Sequence, residues 1–201
     1  MKLPNATHEA HRWRITGIAP DFKLLDTWKL PVEGTRSDFD TFLDTMAVLD
    51  LARTGPRAVR ALFSLRARLG QWFGWNDGGW GEGTIKLAIP GCTETTLSAR
   101  LPKDLQNTVS APDNSAVKFR PLYRTDDEWA AELSNRIVHV IKHLVWIDEG
   151  RGHYRGQMGI YVKTRGWFGP LYLALIQPFR HAIVYPAGIR QIKRAWETRP
   201  A

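Results

Sequence analysis

The last quarter of the chain constrains the fold most. Between Tyr154 and Trp196 an alternating strand runs into a long apolar helix. In YRGQMGIYVK, Tyr154, Met158, Ile160 and Val162 fall on one face of an extended strand. Arg165-Gly166 breaks the run. Gly169-Pro170 then opens a helix, because proline at the first helical position gives up no hydrogen bond. From Leu171 the apolar residues recur at threes and fours, so that Leu171, Leu175, Ala182, Tyr185, Ile189, Ile192 and Trp196 share a face. The first half of this helix is apolar almost all round, as suits a helix packed on a sheet and partly enclosed. Pro178 and Pro186 each remove a backbone bond and predict bends. A helix of this length needs a broad apolar surface to lie on, and the strands before it can supply one.

The segment Asn135–Ile147, NRIVHVIKHLVWI, fits two periods. As a strand it places Ile137, His139, Ile141, His143, Val145 and Ile147 on one face. As a helix it aligns Ile137, Val140, Ile141 and Leu144. Its β-branched content favours the strand, and the turn Asp148–Gly152 would pair it with the strand from Tyr154 as a hairpin. Further upstream, VKFRPLYR and Trp129–Ser134 read as strands around the turn TDDE. Asp21–Leu30 reads as another strand or an extended arm, ended by Pro31 and Gly34. Ser37, with Asp40 three residues on, predicts the start of a helix carrying Phe39, Phe42, Leu43, Met46 and Leu49. Thr54-Gly55-Pro56 breaks it, and a second helix follows over 57–73 with a basic face of Arg60, Arg66 and Arg68. Residues 74–116 are rich in glycine and proline and read as a tryptophan-bearing loop or lid, with one short strand at Thr95–Leu101.

With 201 residues, 43% of them hydrophobic, the chain is long enough for one domain, 1–201, with a real core. Its single cysteine, Cys92, excludes an internal disulfide and fits a reducing compartment. The start has no apolar run, and Gln177, Arg180 and His181 interrupt the best candidate for a membrane span. These features predict a soluble cytoplasmic protein. A net charge of +8 invites a nucleic-acid reading, but the basic residues are scattered and no nucleic-acid motif accompanies them.

An early strand, a helix pair, several antiparallel strands and a long terminal helix make an α+β order. It resembles the helix-grip architecture of the START/Bet v 1-like (SRPBCC) superfamily. DFKLLDTW, ELSNRIVHVIKHLVW, YRGQMGIYVK and LYLALIQPFRHAIVYP carry this likeness. They are also similar to an uncharacterised bacterial family found alone or fused to short-chain-dehydrogenase-like NAD(P)-binding domains. The resemblance implies a curved antiparallel sheet wrapped around the terminal helix, with a cavity between them. It implies no particular reaction.

Asn135, His139 and His143 form the most chemical cluster. On a helix they would align like metal ligands. On a strand the histidines stand about 13 Å apart, too far to share an ion. Facing a cavity, they would orient a ligand or move a proton. The bland alternative is a pair of hydrogen-bonded core histidines. Arg180 and His181 interrupt the most apolar helix, and a buried guanidinium needs an anionic partner, for which Glu132 is the first choice and Glu128 another. Tyr161 offers a further hydroxyl. Neither G-x-S-x-G, H-E-x-x-H nor C-x-x-C occurs, and no cofactor or metal is expected. The sequence therefore predicts binding of a small apolar or amphipathic molecule between sheet and terminal helix, oriented by Asn135, His139, His143, Tyr161, Arg180 and His181. A cofactor-free enzyme using His139 or His143 as acid–base is the second reading. A module that partners an NAD(P)-binding protein is the third.

Overall fold

A computed structural model describes residues 1–49, 51–72, 96–109, 119–135 and 137–199. Its centre is a six-stranded, fully antiparallel, curved sheet of order β1-β2-β6-β5-β4-β3. The strands are β1 (Lys2–Leu3), β2 (Lys23–Gly34), β3 (Arg120–Arg124), β4 (Glu128–Ser134), β5 (Val138–Asp148) and β6 (Tyr154–Thr164). β5 and β6 form the expected hairpin, in register from Val138↔Thr164 to Asp148↔Tyr154. Its turn places Gly150, Arg151 and Gly152 at φ of 90°, 57° and 76°, a left-handed path that two glycines make cheap.

The helices are α1 (Asn5–Glu9), α2 (Arg14–Ile18), α3 (Phe39–Ala47), α4 (Leu51–Thr54), α5 (Arg57–Trp72), α6 (Phe168–Phe179) and α7 (Tyr185–Glu197). α6 and α7 are one bent element joined by a π-helical stretch, Arg180–Val184, lying between Pro178 and Pro186. The fold is α+β with a long C-terminal helix on an antiparallel sheet, the helix-grip arrangement.

Both faces of the sheet are covered. On one face lie Trp28, Leu30, Val32, Leu144, Trp146, Met158 and Ile160, packed against Phe39, Phe42 and Met46 of α3, Tyr172 of α6, and Ile192 and Trp196 of α7. Trp146 is the hub, with ring centroids 5.4 Å from Phe42 and 6.3 Å from Trp196. Each large apolar side chain enclosed here contributes roughly 1.5–3 kcal/mol. On the other face Ile141, Val145, Leu122 and Tyr161 pack under Trp13, Ile15, Ile18 and Phe22 of the N-terminal arm and under Leu97, Leu101 and Leu105.

Several local expectations change. The N-terminal arm forms two short helices where no element was predicted. A 3-10 turn, Arg36–Asp38, capped by Thr35, precedes α3, whose N-cap is Asp38 rather than Ser37. β2 continues past Pro31 because its register with β6 slips between Lys29 and Glu33, where a missing N–H breaks no ladder bond. Ser98–Arg100, inside the predicted strand Thr95–Leu101, is a single 3-10 turn. Leu171 and Leu175 do not share the buried face of Ile192 and Trp196. The seam runs through Phe168, Tyr172 and Ile176 instead. A π turn holds more residues than an α turn, so the period read along one half does not carry into the other. Residues 74–95 and 110–116 of the predicted lid lie outside the described residues, as do 117 and 118 of the predicted strand VKFRPLYR.

Candidate functional site

On an antiparallel pair a side chain reaches diagonal neighbours as well as the one opposite. β4 and β5 use this twice. Glu128 stands opposite Val145, and Glu132 opposite Ile141. Each carboxylate meets the histidine two places along. His143 Nε2 lies 3.1 Å from Glu128 Oε2, and His139 Nε2 lies 2.7 Å from Glu132 Oε2. Both pairs lie on the face covered by the N-terminal arm, because odd-numbered residues of β5 point there. This corrects the expectation that His139 and His143 face α6 and α7.

The Glu128 pair extends further. His8 of α1 lies over the sheet with Nε2 3.1 Å from His143 Nδ1, and its own Nδ1 is 2.6 Å from Gln157 Nε2. Gly159 makes room for it, since a Cβ there would stand 2.9 Å from His8 Nε2. The Tyr123 hydroxyl donates to Glu128 Oε2 at 2.8 Å, and the Arg14 backbone N–H donates to both carboxylate oxygens at 3.1 Å. These donors assign the tautomers. An ionised Glu128 only accepts, so His143 donates from Nε2 and accepts at Nδ1. His8 must then donate from Nε2 and accept at Nδ1 from the Gln157 amide. The result is one directed chain, Gln157 to His8 to His143 to Glu128.

Electrostatics agree with it. Burial, and then the neighbouring His143 and His11, push the His8 pKa down to about 3, so His8 is neutral near pH 7. Burial alone would raise Glu128. The hydrogen bonds from His143, the Arg14 amide and the Tyr123 hydroxyl outweigh it and hold the carboxyl below its usual range. Burial, then the Glu128 charge and its hydrogen bond, drives Tyr123 above the ordinary phenol value, so it stays a donor.

Glu128 is also where this chain meets an opening. A cleft of about 590 Å³ is lined by Glu128, Trp13, Trp146, Tyr154, Asp127 and Asp148, with Arg12 and Arg36 among its other walls. Arg36 is held by Asp126 at 2.8 Å. The lining thus combines aromatic residues, acidic and basic groups, and Glu128, the end of the polar chain.

The second Glu–His pair is closed off differently. Arg165 donates to His139 Nδ1 at 3.3 Å, to Ser134 Oγ at 2.7 Å and to the Asn135 carbonyl at 2.6 Å. Asn135 Oδ1 accepts from the backbone N–H groups of Ile137 and Val138, so it shapes the β4–β5 turn. Tyr161 lies beside His8, 6.0 Å between ring centroids, and its buried hydroxyl has no hydrogen-bond partner among the described residues. The sequence-predicted set therefore divides. His143 and Tyr161 adjoin the chain to the cleft, while His139 and Asn135 belong to the Arg165 cluster.

Arg180 and His181 lie across the sheet from both groups. The partner of Arg180 is Asp26, not Glu132, which His139 already engages on the opposite face. A register shift between Leu24 and Asp26 leaves the fully buried Asp26 opposite Ile160, on the helix-covered side. Its carboxylate accepts from Arg180 at 2.9 Å, His181 at 2.7 Å and the Tyr185 hydroxyl at 3.1 Å, and Lys2 Nζ stands 3.2 Å away. Burial raises the Tyr185 pKa against the opposing charge of Arg180, and the Asp26 charge adds a smaller push upward. Every oxygen of Asp26 is used, and the cluster staples the π segment to β2 and β1.

Sequence reasoning missed His8, Gln157, Tyr123 and Asp26. Glu128 and Glu132 had been considered only as partners of Arg180. The readable signal was the matched spacing of Glu128 with Glu132 and His139 with His143, which two adjacent antiparallel strands convert into diagonal pairs. Among the described residues no three His, Cys, Asp or Glu side chains are grouped to hold a metal ion. Comparison with sequence families matches residues 18–187 to the family described as "Protein of unknown function (DUF2867)". No curated protein and no solved structure matches.

Proposed function

The chain belongs to the DUF2867 family, and from its geometry we propose that it binds a small amphipathic molecule in the cleft at Glu128. The observation that carries this reading is the meeting of a ligand-sized opening with the end of an ordered buried polar chain. About 590 Å³ suits a small molecule. Trp13, Trp146 and Tyr154 offer walls for an apolar body, and Asp127 and Asp148 favour a head that donates hydrogen bonds or carries positive charge. The site so proposed is at the strand ends rather than between the sheet and α6–α7. Kinship with the START/Bet v 1-like superfamily and pairing with an NAD(P)-binding protein stay within the proposal. The sheet and long terminal helix support the first, and the resemblance alone supports the second.

Acid–base catalysis is the second reading, favoured by a carboxylate at the cleft that is held ionised. Glu128 would itself take the proton from a ligand, and His143, which donates to it from Nε2, would orient the carboxylate.

Thermal shift with a set of small aromatic amines tests the binding reading. Amines that bind should raise Tm by mass action. Trp13→Ala should weaken them by about tenfold, the loss of one well-buried aromatic contact. Amines that bind both proteins equally would overturn the cleft as the site. Turnover of a small ester, lactone or ketone that vanishes in Glu128→Gln would install the enzyme reading instead.

A further inference from the structure

α6 is apolar all round, yet it is not enclosed. Trp167, Leu171, Leu175 and Phe179 follow one another at intervals of four and are 82%, 56%, 66% and 46% exposed. Pro170, Ala174 and Pro178 are exposed beside them, and among residues 166–179 Gln177 is the sole exposed polar side chain. A helix without a polar face is ordinarily covered.

The surroundings say by what. α5 meets it where Arg66 Nε donates to the Tyr172 hydroxyl at 2.7 Å, with the guanidinium over the Tyr172 ring. α5 exposes Arg57, Arg60 and Arg68, and also Leu65 at 54% and Trp72 at 84%. The whole chain carries a net charge of +8. Leucine and phenylalanine along a helix, tryptophan at its end and arginines on the neighbouring helix match what an interfacial helix presents to lipid. A second copy would set like arginines against one another, whereas an anionic bilayer complements them.

We propose that the exposed face of α6, with the arginines of α5 beside it, docks on the surface of an anionic lipid bilayer. The leucines and aromatic rings enter the headgroup–acyl boundary, and the guanidinium groups pair with lipid phosphates and carboxylates. The chain lies on such a surface and does not cross it, for among the described residues no helix is long and apolar enough to span a membrane. This surface is separate from the cleft.

Vesicle co-sedimentation of the full chain tests the proposal. One set of vesicles is phosphatidylcholine alone, and the other contains phosphatidylserine as well. The protein should pellet with the anionic vesicles, less with the neutral ones, and less again as salt rises. Leu171→Ser with Leu175→Ser should lower partitioning by about tenfold or more, since two apolar anchors are lost. Arg60→Glu with Arg68→Glu should reduce binding to anionic vesicles and leave the weak neutral binding unchanged. All four positions are exposed, so circular dichroism and Tm should match the parent. A blue shift of tryptophan fluorescence on adding anionic vesicles should shrink in Trp167→Phe. Protein that stays in the supernatant with both vesicle types would overturn the proposal, as would undiminished binding by the leucine variant. Light scattering that finds a dimer dissociated by the leucine substitutions, with no vesicle binding, would assign this face to a second copy.

Discussion

His8 shows how one buried residue sets the behaviour of the site. Its pKa falls from 6.5 to about 3 on folding, chiefly because burial opposes the charged ring. The unfolded chain therefore binds more protons than the folded one between those values. The contribution of His8 to stability is complete above pH 6.5 and is lost as pH falls toward 3. The slope from this group is about 1.4 kcal/mol per pH unit. Glu128 acts in the same direction at lower pH, since its folded pKa is also depressed. Urea unfolding at pH 7, 6 and 5 should show stability falling, and His8→Phe should flatten the decline between pH 6.5 and 5. An unchanged slope in that variant would remove His8 as the cause. Asp26 gives the complementary case on the other face. Asp26→Ala leaves the half-buried Arg180 without its carboxylate and empties a fully buried site, and should cost about 3–5 kcal/mol. Arg180→Ala should cost less, because Asp26 keeps His181, Tyr185 and Lys2. Chemical denaturation of the two variants checks the order. A larger loss for Arg180→Ala would mean that the guanidinium, and not the carboxylate, is the hub.

Among elements, the β5–β6 hairpin and the helix after it were legible in the sequence because their signals are local. Alternation, a glycine-flanked turn and a proline at a helix start each act within a few residues. What could not be read depends on departures from period. The register shift before Asp26 decides which face of the sheet that carboxylate meets, and the π stretch moves the buried seam off Leu171 and Leu175 onto Phe168, Tyr172 and Ile176. Neither leaves a simple mark in a hydrophobic pattern. β6 supplies a direct test of how strands hold the site, because two of its glycines face opposite ways. A Cβ on Gly156 would collide with Val32 and meet Phe42 at 3.2 Å, so Gly156→Ala overpacks the helix-covered face and should cost about 1–3 kcal/mol. A Cβ on Gly159 displaces His8 instead. Gly159→Ala should lift the His8 pKa toward its ordinary value and so weaken the acid sensitivity, which Gly156→Ala leaves intact. Ring-proton NMR titration of His8 in both variants would show it, and an unmoved His8 in Gly159→Ala would contradict the packing.

At the scale of the molecule the two sheet faces hold different things. The face under α3, α6 and α7 is a packed aromatic and aliphatic layer with one polar staple at Asp26. The face under the N-terminal arm carries two Glu–His pairs, and one of them reaches the cleft. His139 and His143 were visible as a pair of chemical groups on one strand face. Their partners were not, because His8 stands 135 residues from His143, and no local pattern links them. The same distance is why the cavity was expected under the terminal helix, where the sequence offers its most continuous apolar surface. A ¹H–¹⁵N NMR titration with small aromatic amines tests whether the Glu128 cleft receives small molecules. Shifts should converge on the indole N–H groups of Trp13 and Trp146 and on the backbone of Asp127, Glu128 and Asp148, and should weaken in Trp13→Ala. Shifts that converge instead on Asp26, Trp28 and Tyr185, or that appear nowhere, would contradict it.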